Sequence, residues 1–206
     1  MEGHVFIDNS NIFGGAQELS GKKEPSVPTL AVRVYYKNLF KLLEHGLDVK
    51  TRMLAGSLPP GNEALWQHSK DANYDTDLLR RVEKDDGRIQ EQGVDELVHL
   101  KILEVVCDFP PGRLVIATGD GNISEFNTSF PAQVSRALKK GWSVDLWTWR
   151  AQLSSAYLPV KKEFDSTFEI KYLDGYFNQI TFVQGVNSPD VLVSVPSRVV
   201  RQLNLS

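Results

Sequence analysis

Hydrophobic positions in this chain come in short bursts, and segments of helical spacing separate them. The first burst, Val5-Phe6-Ile7, shows no alternation and runs straight into Asp8. A nearly all-apolar run of this length suits a strand covered on both faces, the central position of a parallel sheet. A second burst, Arg113 to Ala117, leads into Thr118-Gly119-Asp120-Gly121-Asn122. Asp48 to Ser57 and Trp142 to Trp149 alternate well enough for two further strands, and Thr76 to Val82 for a weaker one. Leu30, Val34, Leu39, Leu42 and Leu43 recur at helical spacing between a Thr29 N-cap and Gly46, which predicts a helix. Asn62 onward predicts a second helix with Leu65 and Trp66 inward. Further helices are expected from Gln92 to about Cys107, from Pro131 to Lys140 and, shorter, from Ala151 to Tyr157. Residues 10–28 are polar, carry Gly14-Gly15 and two prolines, and read as a long functional loop.

Strand and helix alternate over residues 3–157. That pattern predicts an α/β domain, a central and mostly parallel sheet with helices on both faces, spanning 1–158. Beyond Pro159 the pattern changes. Phe168 to Tyr172 reads as a strand, Asp174-Gly175-Tyr176-Phe177 as an aromatic turn, and Val191 to Val195 as a β-rich patch. Residues 159–206 are expected to pack on the domain as an extension. Aromatic side chains near 172–177 need a cover, which raises the expectation of a homodimer.

Composition narrows this picture. With 206 residues, 41% hydrophobic and 24% charged, the chain is long enough for one domain with a full core. A net charge of −3 provides no overall basic field, so a nucleic-acid partner has to be held by local patches. The single cysteine, Cys107, excludes an intramolecular disulfide and a cysteine zinc site, fits a reducing compartment, and is expected in the core near a helix end. No apolar run reaches the ~20 residues of a membrane helix, and no leader is visible before the first strand. A cytoplasmic location is expected.

Three carboxylates carry the chemistry. Asp8 and Asp120 each follow an apolar strand, and Asp95 opens the helix after Gly93-Val94. In a right-handed β-α-β layout, strand C-termini and helix N-termini share one edge of the sheet, so the three acids should converge there. Three carboxylates in one cleft repel each other unless protons or cations neutralise them. Hard oxygen ligands with few histidines favour Mg²⁺ or Mn²⁺. Asn11 and Asn122 stand near Asp8 and Asp120 and could orient them, and Glu96 or Glu125 could add an oxygen. Such a site suits attack of a metal-activated water on a phosphodiester, leaving 5′-phosphate and 3′-hydroxyl ends. No His pair is placed for the route in which a ribose 2′-hydroxyl attacks.

Ile7-Asp8-Asn9-Ser10-Asn11-Ile12, Gly93-Val94-Asp95 and Thr118-Gly119-Asp120-Gly121-Asn122 together resemble the NYN domain, a branch of the PIN-like nucleases. The likeness covers roughly residues 3–157. It implies a PIN-like three-layer α/β/α sandwich, a Mg²⁺- or Mn²⁺-dependent endoribonuclease, and single-stranded RNA as substrate. Asp8, Asp95 and Asp120 match the family's metal-binding acids, and Asn11 its accompanying asparagine. The sequence departs at Asn122, where many relatives carry a further aspartate. An asparagine coordinates through its carbonyl but brings no charge. A catalytically weak or inactive RNA-binding or interaction module on the same fold is therefore the alternative. A phosphohydrolase for small phosphoesters with an aspartate nucleophile would need a second Asp two residues after Asp8, where Ser10 stands.

Other polar residues are weaker candidates. Gly14 and Gly15 could bring backbone amides to phosphate, and Lys22, Lys23 and Arg52 are candidate substrate contacts. Arg80-Arg81, Lys139-Lys140 and Lys161-Lys162 each read better as solvated surface. Asp145 is expected on the solvent face of its strand. His99 is expected on a helix surface, hydrogen-bonded to Asp95 or Glu96, with metal contact the sharper reading. Of Trp142, Trp147 and Trp149, two are expected in the core and the third could stack on a base.

Overall fold

A computed structural model describes the backbone of residues 1–56, 63–76, 82–83, 89–90, 94–123, 127–183 and 198–205. Five parallel strands form the central sheet: β1 (Glu2–Asp8), β3 (Asp48–Ala55), β6 (Arg113–Ala117), β7 (Ser143–Thr148) and β8 (Phe168–Tyr172). Their order across the sheet is β3-β1-β6-β7-β8. Two short antiparallel pairs stand apart from it: β2 (Val32–Val34) with β9 (Thr181–Val183), and β4 (Val82–Glu83) with β5 (Ile89–Gln90). Outside β3 the chain adds one more parallel bridge, from Met53 to Asp75.

Helices cover both faces. On one side, Val5 and Ile7 of β1 and Trp147 of β7 pack with α1 (Asn9–Lys23), α2 (Tyr36–Leu43) and α7 (Phe177–Ile180). On the other, Phe6 packs with α4 (Val94–Asp108), α5 (Phe130–Lys139) and α6 (Tyr157–Glu163). The remaining helix, α3 (Glu63–Asp71), lies against α2. The molecule is thus a three-layer α/β/α sandwich. Val5, Phe6 and Ile7 are wholly buried, as an uninterrupted apolar run in a central strand requires.

Several expectations change. Residues 9–23 are a helix and not a loop. Asp8 caps it by accepting from the Asn11 amide, and Ile12, Ala16 and Ser20 recur every four residues on its buried face. The glycine pair hid this, since each Gly costs a helix roughly 1 kcal/mol. Gly15 is there for space: a β-carbon at that position would collide with the Trp149 indole, which donates to the Ile12 carbonyl oxygen at 2.8 Å.

The helix expected from Thr29 begins only at Tyr36. A 3₁₀ turn, Thr29–Ala31, and the β-branched Val32 and Val34 of β2 precede it. The helix expected over Ala151–Tyr157 is a 3₁₀ turn, Arg150–Gln152, followed by α6. Pro159 reads as a break but sits in the first turn of α6, where backbone N–H groups have no intrahelical partner to lose. The sheet also continues past the expected boundary at 158, because β8 pairs with β7 from Val144↔Phe168 to Thr148↔Tyr172.

The expected strand at 76–82, apart from Thr76 and Val82, lies outside the described residues, as do Arg80-Arg81, Val191–Val195 and the side chains of Leu65 and Trp66. Trp142, Trp147 and Trp149 are all buried. Cys107 is exposed near the end of α4, not in the core. Phe177 is buried, Tyr176 meets Trp147 edge-on and Tyr172 lies under the Arg150 guanidinium, so this chain covers the aromatic cluster itself. Among the described residues, no helix is long and apolar enough to cross a membrane.

Candidate functional site

From β1 the chain crosses to β3 on one side, then returns to place β6 on the other side of β1. Strand order therefore reverses between β1 and β6. In open α/β sheets, ligands bind outside the strand carboxyl ends at such a point. Asp8 is the last residue of β1, and Thr118-Gly119-Asp120 leaves β6 beside it. Asp95 lies in the first turn of α4, which packs on β1.

Asp8 is only 6% exposed. Its Oδ1 accepts from the Asn11 amide at 3.1 Å, and its Oδ2 accepts from the Thr118 hydroxyl at 2.9 Å. Neither partner is charged. Burial pushes the Asp8 carboxyl up from its ordinary 3.8 to about 7, and the charges of Asp95 and, more weakly, Asp120 push the same way against those two hydrogen bonds. Asp8 thus feels both other acids of the predicted trio.

The loop after β6 is fixed from three sides. Asn11 Oδ1 accepts from the Gly119 amide at 2.7 Å, so Asn11 ties α1 to this loop. Thr118 Oγ1 also accepts from the Asp120 amide at 3.1 Å. Tyr157, fully buried, donates its hydroxyl to the Asp120 carbonyl oxygen at 2.7 Å. Burial, and then the charges of Asp120 and Asp8, raise the Tyr157 phenol well above its ordinary range, which keeps it a donor. Gly119 lies so close to the Gln152 carbonyl and the Thr148 hydroxyl that no side chain fits. Asp120 Oδ1 accepts from Asn122 through its amide at 3.2 Å and its Nδ2 at 2.6 Å. Asn9, buried beside Asp8, accepts from the Tyr36 hydroxyl.

Among the described residues, no three Asp, Glu, His or Cys side chains are gathered into a metal-holding group. The donor chemistry nevertheless suits a hard divalent cation: carboxylates of Asp8, Asp95 and Asp120, with the Asn122 amide next to them. A cation there would offset the charges of Asp95 and Asp120 that act on buried Asp8. Glu125 lies outside the described residues.

The substrate contacts expected from sequence do not gather here. Gly14 is exposed in α1 with open space around it, and Gly15 packs on Trp149. Lys22 and Lys23 occupy the last turn of α1, roughly 20 Å along the helix from Asp8. Lys22 pairs with Glu18 at 2.7 Å, and Lys23 lies over the Phe177 ring. Arg52 stands opposite Val5, within the strand, and pairs with Glu44 at 3.0 Å. Lys139-Lys140 and Lys161-Lys162 lie at the ends of α5 and α6. In a parallel α/β layer, helices end at the edge opposite the strand C-termini. These lysines complement helix dipoles there, away from the acids.

Asp145 is buried, not on a solvent face, between Arg113 at 2.6 Å and Lys171 at 2.9 Å. His99 is 3% exposed and packs edge-on against Phe130 with ring centroids 4.4 Å apart; it is neither on the surface nor hydrogen-bonded to Asp95 or Glu96. Four residues at the edge were not singled out from sequence: Asn9, Thr118, Tyr157 and Arg150. The Thr-Gly-Asp run already held Thr118 and Asn9 abuts Asp8, whereas only the tertiary fold brings Tyr157 and Arg150 in.

No family model matches the chain, and no curated protein does. A crystal structure of a Vibrio parahaemolyticus protein of unknown function is similar to it, with a TM-score of 0.56 and 14% identity, over 82% of this chain and 91% of that one. At that identity the likeness concerns the fold alone.

Proposed function

We propose that this chain is a divalent-metal-dependent endoribonuclease whose site is the acidic edge between β1 and β6. The observation that carries the reading is Asp8: a buried carboxylate at the switch point, held near neutrality by burial and by the two acids it faces. Mg²⁺ or Mn²⁺ bound there would neutralise the acids and activate water for attack on phosphorus. Asp8, Asp95 and Asp120 would hold the ion. Thr118 and the Asn11 amide fix the Asp8 carboxylate in place, while Asn11 and Tyr157 hold the loop that presents Asp120. Protons and cations compete for Asp8, so metal affinity rises as pH passes about 7. RNA as substrate, and a cytoplasmic setting, follow from the resemblance of the three acidic motifs to NYN domains and from the single cysteine. Arg150, stacked over Tyr172 at 3.8 Å beside the C-terminal ends of β7 and β8, would meet a phosphate that runs along this edge of the sheet.

One observation favours the second reading, a binding module that has lost turnover. Asn122 donates twice to the same Asp120 oxygen, engaging a carboxylate that the nuclease needs for its ion. Cleavage of labelled single-stranded RNA with Mg²⁺, Mn²⁺ or EDTA, run beside Asp8→Asn, separates the two. The nuclease yields 5′-phosphate products that need metal and fall at least about a hundredfold in the variant. RNA retained with no product under any metal establishes the binding module instead.

A further inference from the structure

We propose that β8 is the edge through which two copies of this chain pair, antiparallel and about a two-fold axis at Ile170, joining their sheets into one. The two outer edges of the central sheet differ. Beyond β3 the chain covers its own edge: the Leu54 amide donates to the Asp75 carbonyl oxygen at 2.9 Å, and the Asp75 amide donates to that of Arg52 at 2.8 Å. Beyond β8, no strand pairs among the described residues. The register fixes which groups that edge presents. Val144 stands opposite Phe168 and donates to the Thr167 carbonyl oxygen at 2.8 Å. Thr167, Glu169 and Lys171 therefore bond toward β7, while Phe168, Ile170 and Tyr172 turn their backbone groups away from it. The Phe168 amide is taken by the Phe164 carbonyl oxygen at 2.9 Å, just after α6. The amides of Ile170 and Tyr172 and the carbonyls of Phe168 and Ile170 have no partner among the described residues. Such a row is a template for a further strand.

The strand that fits is a second copy of β8. In an antiparallel pair centred on Ile170, that residue exchanges both backbone hydrogen bonds with its counterpart, and each Tyr172 amide meets the other copy's Phe168 carbonyl. Glu169 of each copy then stands directly opposite Lys171 of the other, an attractive cross-strand pair. Within one chain Lys171 Nζ already lies 2.9 Å from Asp145 and 3.2 Å from Glu169. Asp145 fixes the lysine, and Glu169, with 59% of its side chain exposed, keeps an oxygen for the second lysine. Each charge is thus set among opposite ones, along its own strand and across. Parallel addition in register would set Glu169 against Glu169. Edges that only repel a further strand are commonly guarded by lysine or proline; this one carries both signs, spaced evenly about an apolar centre. An isologous contact of this kind closes at two copies. It does not use the aromatic turn at 172–177, which the chain covers itself. It also points the carboxyl ends of the two sheets in opposite directions, so the two acidic edges stay apart.

Sedimentation equilibrium of the full chain between about 1 μM and about 1 mM, the span of weak association, tests this with neither metal nor RNA present. Amide hydrogen exchange over residues 168–172, read by mass spectrometry across the same range, locates the contact. The expected result is a monomer–dimer equilibrium, with exchange at Ile170 and Tyr172 slowing as the dimer fills. Glu169→Lys, which leaves Asp145 its two cations, should weaken the dimer at least about tenfold by setting like charges opposite each other. Should Glu169→Lys not fold, the concentration dependence of exchange in the wild-type chain decides alone. A chain that stays monomeric throughout overturns the proposal. So does a dimer whose exchange at 168–172 is unchanged, or one that Glu169→Lys leaves intact, because either assigns association to another surface.

Discussion

Two carboxylates, Asp8 and Asp145, are buried to nearly the same depth, at 6% and 7% exposure, and they have opposite surroundings. Asp145 lies inside β7 between an Arg from β6 and a Lys from β8, both within 3 Å. The chain neutralises that charge itself, across three adjacent strands. Asp8 lies at the end of β1, and the charges acting on it are those of two further acids. A buried carboxylate paired by its own chain serves the fold. A buried carboxylate set among like charges is a standing cost to folding, and a fold carries such a cost where a site needs it.

The largest stability effect should come from breaking the self-neutralised charge. Asp145→Asn leaves Arg113 and Lys171 facing a neutral amide in a mostly buried setting. Removing one partner of a buried ion pair costs about 3–5 kcal/mol. Both cations are partly exposed, at 24% and 33% of their side chains, so the lower end, about 3 kcal/mol, is expected. Urea denaturation at neutral pH measures it. A change under about 1 kcal/mol would make the network a surface feature and dissolve the contrast with Asp8.

Asp8→Asn should act in the opposite direction, and with a pH dependence of its own. The folded pKa of Asp8 lies above its unfolded value, so the folded state binds the extra proton. The stability linked to that proton is full below the ordinary value of 3.8 and is lost as pH rises through about 7. The total between 3.8 and about 7 is roughly 4 kcal/mol. Asn carries no such loss and still caps a helix well. The variant should therefore match wild type near pH 4 and grow progressively more stable than it up to pH 8, while losing metal-dependent cleavage. A difference in melting temperature that stays flat from pH 4 to 8 would mean that Asp8 is not the group held near neutrality.

Much of this contrast could be read from sequence at the acidic edge and little of it elsewhere. Asp8 and Asp120 follow uninterrupted apolar runs, and that local pattern specifies both a central strand and its exit. Asp95 opens a helix whose apolar face is continuous. Asp145 misled because alternation along Trp142–Trp149 reports which residues share a face, not whether that face is covered; here it is the face toward α2 and α7, where Trp147 is also buried. Lys22-Lys23 misled for a topological reason. Lysines gather in last turns, and a parallel sheet sends those turns to the far edge. Gly14-Gly15 looked like a phosphate loop because glycine is costly in helices. What demanded Gly15 was Trp149, 134 positions further on in sequence and packed against α1. His99 and Tyr157 depend on the same kind of long-range packing, which no local period records.

The finest distinction concerns how the charge on Asp8 is held. Thr118 is fully buried; its hydroxyl donates to Asp8 Oδ2 and accepts from the Asp120 amide. Valine has the same shape and can do neither. Thr118→Val should cost roughly 1–2 kcal/mol, the usual loss for a buried hydrogen bond with its partner left behind. The sign of the pH effect is the informative part. The hydroxyl favours the ionised carboxylate, so removing it moves the Asp8 midpoint above about 7. The variant should show the same stability loss with pH as wild type, displaced to higher pH, and should bind divalent cations more weakly at pH 7. A Thr118→Val chain destabilised equally at pH 5 and pH 8, with its midpoint unmoved, would assign the hydroxyl to the β6 loop alone. Asn11 would then be the residue that couples that loop to the end of β1.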